Sequence, residues 1–172
     1  SPAHSSTPKV GLWLWYRRAA IGDNPKVYIV ASGVAGASTN RLQIQCVGAK
    51  LRCEVYVTGG NGRSGITPDV FVAGAWHALY IQYDSSRGGD ANLAIYVNGI
   101  NQTLTYANVG SGAAMTVLQA STGSALIGGG ADTDTPDSAI ANGDALGPNL
   151  FAFNDNLTAA QIATILAFEA PT

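Results

Sequence analysis

The sequence predicts an all-β protein, an antiparallel sandwich of two sheets with one short helix near the C-terminus. In residues 74–84 and 93–97, apolar side chains recur at every second position, which is the period of a strand with one buried face. Short stretches of this kind recur along the chain between turn signals, many of them among its 21 glycines, as is typical of a sandwich. A helical pattern appears only near the end, from about residue 159.

Length and composition predict a single domain over residues 10–172. A chain of 172 residues with 47% hydrophobic residues is long enough to bury a sizeable core. Only 12% of the residues are charged, and the nine Lys and Arg residues are scattered, so the sequence lacks the clustered basic face of a nucleic-acid-binding protein. No apolar run approaches the ~20 residues needed to span a bilayer. We therefore expect neither nucleic-acid binding nor a membrane span.

Residues 1–9 form an extended arm rich in Pro and Ser, with too little apolar content to fold alone. We expect this arm to contact other subunits in an assembly. The start of the chain lacks the charged and apolar regions of a signal peptide. If Ser1 follows a removed initiator methionine, a virion or intracellular protein is expected. If Ser1 follows a processed leader or a domain boundary, a secreted module is expected. The sequence leaves both histories open.

The first strand, residues 10–17, carries two different faces. One face is expected to point into the core and carries Leu12, Leu14 and Tyr16. The opposite, outer face carries two large aromatic rings and a cation: Trp13, Trp15 and Arg17. Flat aromatic rings stack on sugars or anchor protein interfaces, and Arg adds planar hydrogen bonding. The alternative is burial of these rings under another segment. Tyr56 and Tyr80 present the same two alternatives.

The next elements are a strand at residues 26–31 and a hairpin at residues 41–57. In the hairpin, one face is apolar and the other polar. If Ala49 and Lys50 form the turn, Cys46 lies directly opposite Cys53. A cross-strand disulfide is then possible and would imply oxidising surroundings. Two reduced thiols in the core fit the same pattern.

After the hairpin we expect a glycine-rich loop at residues 59–65 and a strand at residues 70–73. A polar loop at 85–90 joins the two strands named first, and Asn98-Gly99 is a two-residue turn signal. Its return arm covers residues 100–106. Further short strands are expected near 115–118, at 125–127 and at 150–153.

The helix is expected over residues 159–168. Thr158 is a good N-cap residue, Gln161 stands at the capping-box position, and Leu157 can pack on Ile162 across the first turn. Pro171 would prevent extension of the helix.

Three segments resemble the concanavalin A-like lectin/glucanase superfamily, in its laminin-G-like branch. They are the strand with Trp76-His77, the strand ending in Tyr96-Val97-Asn98-Gly99, and the late strand followed by a Leu-Thr helix start. The resemblance implies a jelly-roll sandwich and makes His77 part of a structural strand. Members of this superfamily include glycan-binding modules, adhesion domains, glycosidases and virion proteins. The fold therefore does not select one function.

The residues needed for catalysis are missing from the sequence. Retaining glycosidases of this superfamily place two Glu and one Asp at alternate positions of one strand, whereas Glu54 and Glu169 are the only glutamates here and lie far apart. The chain has no Gly-x-Ser-x-Gly motif, and its only histidines are His4 and His77. Two cysteines and two distant histidines do not form a zinc site. We predict a protein that is not an enzyme.

A cofactor prediction concerns calcium. Four aspartates lie in a loop rich in Gly, Ala, Asp and Asn: Asp132, Asp134, Asp137 and Asp144. The resemblance supports a calcium site here, because relatives in the superfamily often hold calcium at rim loops. Calcium takes six to eight oxygen ligands, which carboxylates and backbone carbonyls supply. The loop has no complete EF-hand pattern, and a solvated acidic turn is the alternative.

The function predicted from the sequence is a non-catalytic binding or adhesion module of lectin-like fold, exposed on a virion or on a cell exterior. Its partner is a glycan or a protein surface, and the candidate contact residues are Trp13, Trp15, Arg17, Tyr56 and Tyr80. The alternative is a structural phage virion protein, such as a capsid decoration, cement or tail component, in which the same fold serves assembly.

Overall fold

A computed structural model describes residues 9–22, 24–30, 41–56, 62–110, 125–127, 144–153 and 156–166. Within these ranges, eleven strands form two antiparallel sheets and one helix follows the last strand. The structure thus confirms the predicted sandwich with a short helix near the C-terminus. The helix of the described residues is not long and apolar enough to cross a membrane.

The smaller sheet, sheet A, has five strands. In spatial order they are β11 (Ala145–Phe153), β1 (Lys9–Arg17), β6 (Trp76–Asp84), β7 (Leu93–Val97) and β8 (Ile100–Asn101). A 3₁₀ turn, Gly89–Asn92, leads into β7. Since β1 begins at Lys9, the first strand takes up the last residue of the predicted arm, and residues 1–8 lie outside the described residues.

The larger sheet, sheet B, has six strands. In spatial order they are β10 (Ala125–Ile127), β2 (Lys26–Val30), β3 (Arg41–Val47), β4 (Lys50–Tyr56), β5 (Gly62–Ile66) and β9 (Thr105–Val109). The strand predicted near 115–118 lies outside the described residues, whereas the one at 125–127 is confirmed as β10.

The main core lies between the two sheets and follows from the period of two. Every second residue of each long strand turns inward, so a single alternating pattern supplies one wall of the core. Each fully buried side chain of this size contributes about 1.5–3 kcal/mol to stability. The cluster contains Val10, Leu12, Leu14, Tyr16, Val27, Leu42, Ile44, Cys46, Leu51, Cys53, Val55, Phe71, Leu79, Ile81, Tyr83, Leu93, Ile95 and Val97.

A second hydrophobic cluster lies on the outer face of sheet A, under helix α1 (Ala159–Leu166). The helix begins as predicted: Gln161 donates its backbone N–H to Thr158 Oγ1 at 3.3 Å, and Thr158 donates its own to Gln161 Oε1 at 2.8 Å. Tyr80 anchors the segment before the helix, because its hydroxyl accepts a hydrogen bond from the Leu157 N–H at 2.8 Å. The prediction for residues 167–168 lies outside the described residues.

The turn predicted for the first hairpin is wrong by one residue. Val47 pairs with Lys50, so the two-residue turn is Gly48-Ala49, and Gly48 has a φ of 57°, which glycine adopts without strain. Cys46 consequently faces Leu51, and Cys53 faces Ile44. Both thiols are free and buried, so the structure has the reduced pair and not the disulfide.

Three further element predictions need correction. Residues 70–73 form no strand, because the Val70 and Phe71 N–H groups both donate to Ala49 O at 2.9 Å and not to a neighbouring strand. Part of the expected glycine-rich loop is strand β5, where glycine allows close packing: a Cβ on Gly65 would lie 2.7 Å from Leu93 Cδ2. The expected return arm at 100–106 splits into β8 in sheet A and the start of β9 in sheet B.

Candidate functional site

The aromatic residues predicted to face a ligand on β1 are buried. Trp13 is 1% exposed and Trp15 is 8% exposed, and both pack with Ile162 of α1. Tyr80 lies in the same cluster. The structure therefore shows the burial alternative for these three rings: they dock the helix onto sheet A and do not form an open sugar platform.

Arg17 is half-buried at the end of the same strand. Its guanidinium carbon lies 5.3 Å from the centre of the Trp76 ring, a cation–π contact. Arg17 therefore packs on the rim of the cluster under α1. Of the predicted contact residues, Tyr56 alone lies on the other sheet.

The outer face of sheet B carries a connected set of polar side chains. Alternation along β3 and β4 turns the apolar residues inward and these polar residues outward, and the register makes Gln43 the direct partner of Glu54 and Gln45 the direct partner of Arg52. The α-helix of the described residues packs on sheet A, so sheet B has no helix on its outer face within that part of the chain. We call this set the polar network; it consists of Gln43, Gln45, Arg52, Glu54 and Tyr56.

Glu54 is the centre of the polar network. Its Oε2 accepts hydrogen bonds from Gln43 Nε2 and from the Tyr56 hydroxyl, each at 3.1 Å. Its Oε1 lies 3.2 Å from Arg52 Nε. Glu54 is only 4% exposed, and a buried carboxylate is tolerated when it is paired and hydrogen-bonded in this way.

The remaining bonds close the network. Arg52 Nη2 donates to Gln45 Oε1 at 2.7 Å, and Gln43 Nε2 donates to the same oxygen at 3.1 Å. Gln43 Nε2 thus lies between two acceptors, which determines the orientation of its amide. The other amide atom, Gln43 Oε1, has no hydrogen-bond partner among the residues that the structure describes.

The network therefore has a buried floor and a solvent-facing surface. Gln43 and Glu54 are buried, whereas Gln45, Arg52 and Tyr56 are half-buried and reach the solvent. Side chains held by neighbours of this kind lose little conformational entropy when a ligand binds. The surface groups offer hydrogen-bond donors, hydrogen-bond acceptors and one aromatic ring.

Asp144, one of the four predicted calcium ligands, is used inside the protein. Its side chain and that of Arg18 are both 0% exposed, and Asp144 Oδ2 lies 3.5 Å from Arg18 Nε. Tyr16 donates its hydroxyl to Oδ2 at 2.7 Å, and the Ala19 N–H donates to Oδ1 at 2.6 Å. Arg18 also donates to Gly48 O at 2.6 Å. This buried cluster joins the end of β1, the start of β11 and the first hairpin.

The other three predicted calcium ligands, Asp132, Asp134 and Asp137, lie outside the described residues. Within the described ranges, no three His, Cys, Asp or Glu side chains come together as a metal site. The calcium site stays a prediction. The Asp144 carboxylate is itself buried beside Arg18 and is therefore not a solvated side chain.

His77 has a structural environment. It is buried, its Nε2 lies 3.4 Å from the Val72 N–H, and its ring contacts Phe71 with centroids 5.3 Å apart. Burial lowers its pKa, so the ring is neutral and accepts the hydrogen bond. His77 holds the segment before β6 in place.

Sequence reasoning missed four of the five members of the polar network. Its one available signal was the polar face of the predicted hairpin, which does not distinguish solvated side chains from a connected set. The register decided which polar residues face one another.

Comparison with known proteins rests on the three-dimensional structure. No family model matches the chain, and no curated protein matches it by sequence. The structure is similar to the CBM40 module of the Ruminococcus gnavus IT-sialidase bound to α2,3 sialyllactose, with a TM-score of 0.70, 12% identity, and coverage of 92% of this chain and 83% of that chain. The protein has a jelly-roll β-sandwich fold.

Two other similar structures share the jelly-roll fold. One is the mouse laminin α1 chain, domains LG4-5, with a TM-score of 0.59, 16% identity, and coverage of 91% of this chain and 38% of that chain. The other is the binding domain of botulinum neurotoxin DC in complex with rat synaptotagmin II, with a TM-score of 0.59, 10% identity, and coverage of 92% and 35%. The CBM40 module is bound to a sugar and the toxin domain to a protein, so the fold alone does not select one ligand class.

Proposed function

We propose that this protein is a non-catalytic binding module that holds a carbohydrate on the outer face of sheet B. The observation that carries the proposal is the polar network, in which a buried Glu54 and Gln43 position Arg52, Gln45 and Tyr56 at the surface. The CBM40 neighbours support a carbohydrate ligand, because one of them is bound to sialyllactose.

Binding in this arrangement requires no movement of the backbone. Two adjacent strands set the spacing of the polar groups, and bonds within and between these strands hold each side chain in place before the ligand arrives. The Tyr56 ring supplies an apolar surface for the C–H face of a sugar, while Arg52 donates hydrogen bonds to hydroxyl oxygens.

The same geometry argues against hydrolysis at this face. A retaining glycosidase needs one free carboxylate as nucleophile and a second as general acid. Both oxygens of Glu54 are engaged by Gln43, Tyr56 and Arg52. The network therefore holds a ligand without reacting with it.

The protein-binding alternative and the exterior location belong to the same proposal. The toxin binding domain that shares the fold is in complex with a protein, synaptotagmin II, so a protein surface is the second ligand class to be tested. A role in virion assembly through the N-terminal arm stays a prediction, because residues 1–8 lie outside the described part of the chain. We place the module on a virion surface or in an extracellular setting.

The test is a glycan array with the full chain and two variants, Arg52→Ala and Tyr56→Ala. Each variant should lose at least about tenfold in affinity for the glycans that the wild-type protein retains, because each removes one surface group of the network. Arg87→Ala is the matched control, since Arg87 is an exposed arginine that pairs with Asp84 away from sheet B.

Thermal unfolding checks that all three variants fold. The proposal is wrong if the wild-type protein retains no glycan, or if the two network variants bind as the wild-type protein does. Capture of a protein ligand that depends on Arg52 and Tyr56, without glycan binding, would replace the carbohydrate by a protein partner.

A further inference from the structure

The cation in the polar network has already been neutralised. Arg52 has its Nε 3.2 Å from Glu54 Oε1 and its Nη2 bonded to Gln45 Oε1. The side chain of Arg52 is 33% exposed, whereas that of Glu54 is 5% exposed. The carboxylate thus forms the floor beneath the guanidinium, and the pair presents no net charge to a ligand.

A charge-compensated arginine distinguishes between ligand groups. A carboxylate or sulfate arriving at Arg52 competes with Glu54 for the same guanidinium and meets the negative charge of Glu54 beneath it, and juxtaposed like charges are unfavourable. A hydroxyl group meets neither obstacle, because it accepts from a guanidinium N–H and donates its own proton elsewhere.

The buried Glu54 carboxylate is thus the group that decides between these ligand classes, because it holds the only cation that the network presents to the solvent. We propose that Glu54 is the specificity-determining residue of this face, making it select an uncharged, hydroxyl-bearing sugar unit over an acidic one.

This inference rests on the proposed function, since it concerns the ligand class of the same site. Other cations of the chain occupy neighbouring register positions: Lys26 pairs with Gln45, Arg41 with Tyr56, and Lys50 with Val47. These register positions flank the network. A preference of the wild-type protein for acidic glycans would overturn the inference.

Glu54→Gln tests the role of Glu54 directly. Glutamine keeps the size of the side chain and an acceptor for Gln43, but it leaves the positive charge of Arg52 without a partner. The ratio of affinity for an acidic glycan to that for its neutral parent should rise by about tenfold, the contribution of one hydrogen bond to a charged group. The matched control is the double variant Arg52→Gln, Glu54→Gln, which removes both charges and should not show this rise.

The experiment uses an array that carries lactose, N-acetyllactosamine and their sialylated and sulfated forms. The wild-type protein should retain the neutral glycans at least as well as the acidic ones. Preference of the wild-type protein for acidic glycans, or an unchanged ratio in a folded Glu54→Gln variant, overturns the inference and leaves the proposed function intact. Failure to retain any of these glycans overturns the proposed function and this inference with it.

A second measurement does not depend on the folding of a variant. Salt screens exposed charges over ~10 Å at 0.1 M. Because Arg52 and Glu54 compensate each other, the affinity of the wild-type protein for a neutral glycan should change less than about twofold between 50 and 500 mM NaCl. A steep loss of binding with salt would show that uncompensated charge drives recognition, which contradicts the inference.

Discussion

Asp144→Asn is expected to destabilise the protein strongly, because it removes the charge that balances a fully buried guanidinium. The side chains of Asp144 and Arg18 are both 0% exposed, with Oδ2 and Nε 3.5 Å apart. The Asp144 carboxylate also accepts from the Tyr16 hydroxyl and the Ala19 N–H. Asparagine occupies the same volume, so the variant changes charge and hydrogen bonding without creating a cavity.

The magnitude follows from the loss of one partner of the buried ion pair. Removal of one partner of a buried ion pair costs about 3–5 kcal/mol. In a domain of this size, each kcal/mol lowers the melting temperature by about 2–4 °C, so the expected decrease is about 6–20 °C. Thermal unfolding by circular dichroism and urea titration measure the two quantities independently.

The control for Asp144→Asn is Asp69→Asn, which changes an exposed aspartate and should alter stability by less than about 0.5 kcal/mol. Adding Arg18→Met to Asp144→Asn also removes the positive charge of the buried pair and should recover part of the lost stability. A loss below about 1 kcal/mol for Asp144→Asn, or no recovery in the double variant, would refute the argument that charge balance stabilises this cluster.

Three other outcomes are expected. Burial lowers the pKa of His77, so its contribution to stability is present above the unfolded-state pKa of about 6.5 and is lost as the pH falls through that value towards the lower folded-state pKa; urea titrations from pH 8 to pH 5 measure the loss. Gly65→Ala should cost about 1–3 kcal/mol, because the new methyl group would lie 2.7 Å from Leu93 Cδ2 in the core. Burial raises the pKa of Cys46 to about 12 and also raises that of Cys53, so both thiols should react with a thiol reagent only after unfolding.

Each of these outcomes has its own control. The pH dependence should become smaller in His77→Asn, and an identical pH profile would assign it to other groups. Gly22→Ala meets nothing within 4 Å, so a cost equal to that of Gly65→Ala would argue against a clash. Rapid labelling of Cys46 or Cys53 in the folded protein, or a protein that contains no free thiol, would contradict their buried and reduced state.

The strands were predictable where a single local rule decides them. Alternation in residues 76–84 and 93–97 identifies both strands and their inward faces, and the Thr158 and Gln161 pair identifies the start of the helix. The errors occur where local rules permit two answers. Gly48-Ala49 and Ala49-Lys50 both suit a tight turn, and the difference changes which residue faces Cys46.

The candidate site was predictable only in outline. The sequence marks Gln43, Gln45, Arg52, Glu54 and Tyr56 as polar positions on a hairpin with one apolar face. It does not show that Glu54 is buried, that Arg52 is paired with it, or that Gln43 lies between two acceptors. These facts depend on the cross-strand register and on side-chain geometry.

Two kinds of information thus separate in this protein. Local periodicity, turn residues and capping residues lie within a few positions of one another, so the sequence alone determines the all-β class, most strands and the start of the helix. The burial of Trp13 and Trp15 depends on α1. The helix, residues 159–166, follows more than a hundred positions later in the sequence and covers both rings. Burial of those rings and pairing of the polar network arise from contacts between distant segments, and only the tertiary structure brings these segments together.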